Sequence, residues 1–197
     1  MKNKYKISNF FDSYASGEAM PEHEKWLETH VLPFLKSNIT TVVDFGCANG
    51  RNFYPFKNYN CVGFDLYQAN QIKKFCDFDY YVSSIEDFMH NINSYQIDWQ
   101  NALIMSHGCL MYCKNSEDQN EFIIKLRGKG CRNLVLHEYI SDKVIRAGNM
   151  SDFARNGGLG YLDLNAQNLS LFSPPAGNKI NFRCLQNDLY ALIHLQK

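Results

Sequence analysis

The stretch Thr40 to Asn52, Thr-Thr-Val-Val-Asp-Phe-Gly-Cys-Ala-Asn-Gly-Arg-Asn, limits what this chain can fold into more than any other. Thr40 to Val43 is a β-branched run suited to a buried strand. Gly46 and Gly50 permit a tight turn and the close approach of a ligand to the backbone. From Arg51, through Asn52, Phe53 and Phe56, a helix is expected, its first N–H groups pointing back at the turn. Strand, glycine turn and helix in this order make a nucleotide-sized pocket. The dinucleotide fingerprint Gly-x-Gly-x-x-Gly is not met by Gly46-Cys47-Ala48-Asn49-Gly50, and Asp44, two residues before the first glycine, would repel a pyrophosphate. No Gly-Lys-Ser/Thr follows, which excludes the phosphate loop of nucleoside triphosphatases. An ammonium group, by contrast, could be held by the Asp44 carboxylate and the turn's backbone, directly or through water.

The rest of the chain has the size and content to build around that stretch. Its 197 residues are 45% hydrophobic and 14% aromatic, enough for one substantial core and one domain, 1–197. Lysine plus arginine equals aspartate plus glutamate at 20 each, so no net charge draws the protein to nucleic acid. Seven cysteines, odd in number and scattered, with no apolar run after the basic Met1–Lys6, point to a reducing, cytoplasmic compartment. Cys109 and Cys113 lack a second pair at ligand spacing, so no metal is expected, and no apolar run reaches membrane-spanning length.

Further strands alternate with helices. Pro21-Glu22-His23-Glu24 opens a helix with Trp26, Leu27, Val31, Phe34 and Leu35 as its apolar face, which Pro33 kinks or ends. Cys61 to Asp65 is a second strand that leads into a helix over Tyr67 to Phe75. Asp65 stands nineteen residues after Gly46, the spacing at which an acid reaches the ribose hydroxyls of a nucleoside over the first turn. Tyr80 to Val82 is a third strand, with Ser83 and Ser84 capping the helix that follows. Ala102 to Ser106 is a fourth, running into His107-Gly108-Cys109. A helix from Glu117 carries Phe122, Ile123, Ile124 and Leu126, and its basic end, from Lys125 to Arg132, is solvated surface. Asn133 to Tyr139 is a fifth strand, and Lys179 to Cys184 with Asp188 to Leu195 form a closing hairpin about Gln186-Asn187-Asp188. The glycine-rich segment 141–178 is long for a compact domain and is expected to bind the acceptor substrate. Aromatic residues in 1–20, together with the first helix, are expected to form a helical element over 1–36, either a cap packed on the core or a lid over the ligand site.

Val42-Val43-Asp44-Phe45-Gly46-Cys47-Ala48-Asn49-Gly50 resembles motif I of the class I S-adenosylmethionine-dependent methyltransferases, Ala48 replacing the commoner middle glycine. The resemblance runs in motif order from Thr40 to Tyr139. It implies an α/β fold in a single domain: a doubly wound, seven-stranded sheet, mostly parallel with the last strand antiparallel, flanked by helices. It implies S-adenosyl-L-methionine as cofactor, held by Asp44, Gly46, Cys47, Ala48, Gly50, Asn52, Asp65, Leu66, Ser84, Ile85, Glu86 and Ser106. In the family, the junction at Ser84 and Ile85 contacts adenine; many members carry Asp where this chain has Ser84, so Glu86 or Asp87 could contribute instead, and helix capping is the plain alternative for Ser84. The fourth strand's end resembles motif IV, beneath the transferable methyl group. Tyr14, Tyr112, Glu138 and Tyr139 are then candidate substrate contacts.

The implied reaction is an in-line displacement at the sulfonium methyl, in which positioning does most of the work. An alcohol must also lose its proton, and His107 and His137, at the ends of the fourth and fifth strands, titrate near neutrality and are the candidate bases. The Asn/Asp-Pro-Pro-Tyr/Phe sequence of amino-methylating enzymes is replaced by Ser106-His107-Gly108-Cys109, which favours oxygen as acceptor. The acceptor expected is a small polar molecule such as a sugar, a sugar phosphate or a related cell-surface precursor. Two alternatives stay open: a methyltransferase acting on RNA or protein, and a non-catalytic cofactor-binding subunit of a partner enzyme.

Overall fold

A computed structural model of the chain describes residues 21–35, 37–66, 76–110, 113, 116–131, 133–139, 180–185 and 190–195. The expected lid segment 1–20 with Tyr14, the helix over Tyr67 to Phe75, Tyr112, the hairpin turn 186–188 and the insert 141–178 lie outside the described residues. Five parallel strands form the framework. Strand β1 (Thr41–Phe45) lies between β2 (Asn60–Asp65) and β4 (Ala102–His107), with Val43 opposite Val62 on one side and Ile104 on the other. Strand β3 (Asp79–Val82) flanks β2 and β5 (Asn133–Tyr139) flanks β4, so the order across these five is β3-β2-β1-β4-β5. The chain winds outward from β1 to β3 and then returns to β4 on the other side. That reversal opens a crevice beyond the carboxyl ends of β1 and β4.

All five residues of β1 are buried, Val42, Val43 and Phe45 among them, because a central parallel strand is covered on both faces. Val43, Phe45, Val62, Phe64, Ile104 and Leu134 pack on one face with residues of α2 (Ile85–Asn91) and α3 (Ser116–Gly128), among them Phe88, Met89, Phe122 and Leu126. Val42, Leu103, Met105 and Val135 pack on the other with Leu27 and Val31 of α1 (Pro21–His30) and its end, and with Phe53 and Phe56. Phe45, the last residue of β1, meets Phe64 at 4.9 Å, Phe88 at 4.6 Å and Phe122 at 4.8 Å between ring centroids. This aromatic stack gives the turn that follows Phe45 a rigid floor.

Two expectations about helices are met. Helix α1 stops at His30, and Pro33 falls in a short 3-10 turn at Leu32–Phe34, as a residue without an N–H requires. Leu27 and Val31 are buried as expected, while the side chains of Trp26 and Phe34 lie outside the described set. The helix expected from Arg51 is present as a six-residue 3-10 helix, Arg51–Phe56, with Pro55 inside it. Pro55 cannot donate to a carbonyl four residues back, so a regular α-helix cannot propagate through it. Among the described residues, no helix is long and apolar enough to cross a membrane.

Candidate active site

The turn after β1 is built from left-handed backbone. Gly46, Ala48 and Gly50 have φ of +74°, +46° and +83°. Ala48 is the one non-glycine residue with positive φ among the described residues. Neighbouring groups hold it there. Gly46 N–H and Cys47 N–H donate to Phe64 O at 2.8 and 3.3 Å, and Gly50 N–H donates to Cys47 O at 2.8 Å. Asp65 Oδ2, at the end of β2, accepts from Ala48 N–H at 2.8 Å, and Oδ1 accepts from Leu66 N–H at 2.6 Å. Asp65 therefore fastens the turn to the neighbouring strand, while remaining half-buried at the edge of the crevice.

Asp44 is fully buried, its Oδ2 accepting from Asn52 Nδ2 at 2.9 Å. The amide holds the carboxylate in place. Two carboxylates thus converge on one turn, and their field is visible at Cys47. Burial, then Asp65, then Asp44 and Cys109 push that thiol well above its ordinary range. Cys47 is 1% exposed, and its sulfur lies 2.5 Å from where a side chain on Gly63 would begin. Its side chain is core packing, so what it can offer a ligand at this turn is backbone.

The structure brings Asp44, Gly46, Cys47, Ala48, Gly50, Asn52, Asp65 and Leu66 together at the carboxyl ends of β1 and β2. Leu66 is 42% exposed there. Ser84 stands at the N-cap of α2, just beyond the end of β3, where its Oγ accepts from Asp87 N–H at 3.0 Å and donates to Asp87 Oδ2 at 2.8 Å. The capping account of Ser84 is thus realised, and Ile85 packs into the core beside it. Glu86 is half-buried in the first turn of α2. Replacing Ser84 by Ala should cost about 1 kcal/mol, read as a lower denaturant midpoint at unchanged slope.

Ser106, 1% exposed, ends the buried part of β4, and the half-buried His107 follows it. His107 and His137 are register partners on β4 and β5, a juxtaposition that separation in sequence hides. Glu138 and Tyr139 close β5 at the same edge; their side chains, like that of His137, lie outside the described set. Cys109 is a residue that the sequence pattern missed. Its Cβ and Sγ would stand 3.0 and 3.1 Å from a Cβ built on Gly46, so it packs directly against the turn. Only the adjacency of β1 and β4 could have revealed that contact. Among the described residues, no group of three or more His, Cys, Asp or Glu could hold a metal ion.

No family model matches the chain, and no curated protein matches it. Solved structures do. A SAM-dependent methyltransferase from Archaeoglobus fulgidus superposes with a TM-score of 0.64 at 14% identity, over 97% of this chain and 100% of that one. An O-methyltransferase family protein from Burkholderia thailandensis matches with a TM-score of 0.60 at 16% identity, over 90% of this chain; the chain spans only 55% of that protein's length. The N-methyltransferase NodS from Bradyrhizobium japonicum WM9, in complex with S-adenosyl-L-homocysteine, matches with a TM-score of 0.58 at 13% identity, over 88% of this chain and 86% of that one. A small RNA methyltransferase and a magnesium protoporphyrin IX methyltransferase also share the architecture. The fold of this chain is that of the class I methyltransferases.

Proposed function

We propose that the protein is an S-adenosylmethionine-dependent methyltransferase that methylates an oxygen of a small polar molecule, such as a sugar or sugar phosphate. The observation that carries this reading is the left-handed turn at Gly46, Ala48 and Gly50 with the Asp44 and Asp65 carboxylates on either side of it. The donor set fits the cofactor. A positively charged ligand with ribose hydroxyls is what two carboxylates beside a left-handed backbone turn can recognise. The neighbours' S-adenosylhomocysteine complexes favour the same cofactor.

In this reading Asp65 accepts from the ribose hydroxyls, Asp44 faces the ammonium group, and Gly46 and Gly50 supply the left-handed backbone that shapes the turn. Ser84, Ile85 and Glu86 would line the adenine end, and Ser106 the floor below the methyl group. The bound cofactor supplies an electrophilic methyl group. The chain's own tasks are to orient the acceptor and to take its proton, at an imidazole nitrogen of His107 or His137. Glu138, Tyr139, Tyr112 and Tyr14 are proposed acceptor contacts. Oxygen is favoured over nitrogen because Ser106-His107-Gly108-Cys109 offers a base where amino-methylating enzymes carry a proline-rich motif. The reading includes a sheet of seven strands with an antiparallel last strand. In its favour, Tyr190–Leu195 (β7) registers antiparallel to β5 from Val135↔His194 to Tyr139↔Tyr190, and antiparallel to Ile180–Leu185 (β6).

Calorimetric titration of Asp65→Ala tests the assignment. Losing the ribose contacts and the Ala48 N–H tether should weaken binding of S-adenosylmethionine about 30-fold, roughly 2 kcal/mol. Unchanged affinity would remove Asp65 from the site.

A further inference from the structure

Glu24 belongs to the first turns of α1, where an acid is commonly explained by the helix dipole. An acid serving the helix alone would face water or accept from an N–H of its own first turn. Glu24 does neither with one of its oxygens: Oε1 is buried and, among the described residues, has no hydrogen-bond partner. A buried carboxylate oxygen without a donor is costly in the free protein, and a ligand that brings a donor recovers that cost.

Its position says which ligand. Glu24 precedes Leu27 by three residues and Val31 by seven, so the three share one stripe of the helix. Leu27 and Val31 pack with Val42, Met105 and Phe53, on the face of the sheet to which Asp44 belongs by alternation with Val43. After α1 the chain returns to the amino edge of the sheet, where Thr40 N–H donates to Asn101 O at 2.9 Å just before β4. Helix α1 packs against the 3-10 helix Arg51–Phe56, which leaves the glycine turn at the carboxyl end of β1.

We infer that Glu24 is a second carboxylate for the cationic end of the cofactor, accepting from its ammonium group from the α1 side while Asp44 faces it from β1. This rests on the cofactor assignment above. The test is calorimetry on the full chain with S-adenosylmethionine, S-adenosylhomocysteine and 5′-methylthioadenosine, which lacks the amino-acid end, alongside thermal denaturation of the free protein. Glu24→Gln keeps the shape and removes the charge. The expected result is roughly tenfold weaker binding of the first two ligands, unchanged binding of the third, and a melting temperature no lower than wild type. Equal affinities in Glu24→Gln and wild type would overturn the inference. So would a loss of all three ligands together with a melting temperature lowered by more than about 3 °C, the signature of a structural role. A wild type that binds none of the three would instead overturn the cofactor assignment itself.

Discussion

Gly50→Val is expected to lower the melting temperature by about 10 °C or more, the largest stability effect of any single change at the site. A side chain on Gly50 would begin 2.3 Å from Phe78 Cε1 and 2.8 Å from two further atoms of that ring. Phe78 cannot retreat, because it is 6% exposed and held by Phe53 at 5.0 Å and Tyr80 at 5.9 Å between centroids. The backbone compounds the clash: φ of +83° costs a β-branched residue about 1–2 kcal/mol or more, and overpacking adds about 1–3 kcal/mol. Together these reach a large share of the roughly 5–15 kcal/mol by which a domain is stable. Gly128→Ala is the matched control, since a Cβ there meets nothing within 4 Å and Ala favours the helix. Circular dichroism melts of the three proteins decide it. A Gly50→Val melt within about 2 °C of wild type would mean that the turn is not built as described.

His107→Ala should reduce the turnover of a hydroxyl acceptor about 100-fold or more while leaving cofactor affinity unchanged, the behaviour of a lost general base. His137→Ala is the necessary partner experiment. The two residues occupy register positions on adjacent strands, so either one stands at the edge where an acceptor would meet the methyl group. The check is transfer of a labelled methyl group to a panel of sugars and sugar phosphates by wild type and each variant. Loss in one variant identifies the base. Full methylation by both would discard histidine catalysis and leave an acceptor acidic enough to need no base.

The alternation of strands and helices, the turn and the two carboxylates were legible in the sequence because each depends on local chemistry. A β-branched run, two glycines and an acid after each of two strands encode the strand ends and the turn directly. The helix after the turn was legible in the spacing of Phe53 and Phe56, while its 3-10 form follows from Pro55. Cys109 against Gly46, and His107 beside His137, depend on which strands become neighbours. Local pattern carries no such information, since β4 is distant from β1 in the chain and adjacent to it in the sheet. Glu24 could be read from sequence only as a helix-opening acid; that one of its oxygens is buried with no donor among the described residues is a property of packing.

The measurement that bears most directly on the whole account is calorimetric titration of the wild-type protein with S-adenosylhomocysteine. The account predicts saturable binding at one site per chain with a dissociation constant on the order of micromolar. An absence of binding up to about millimolar ligand would contradict it, leaving a methyltransferase fold whose turn and paired carboxylates serve some other purpose.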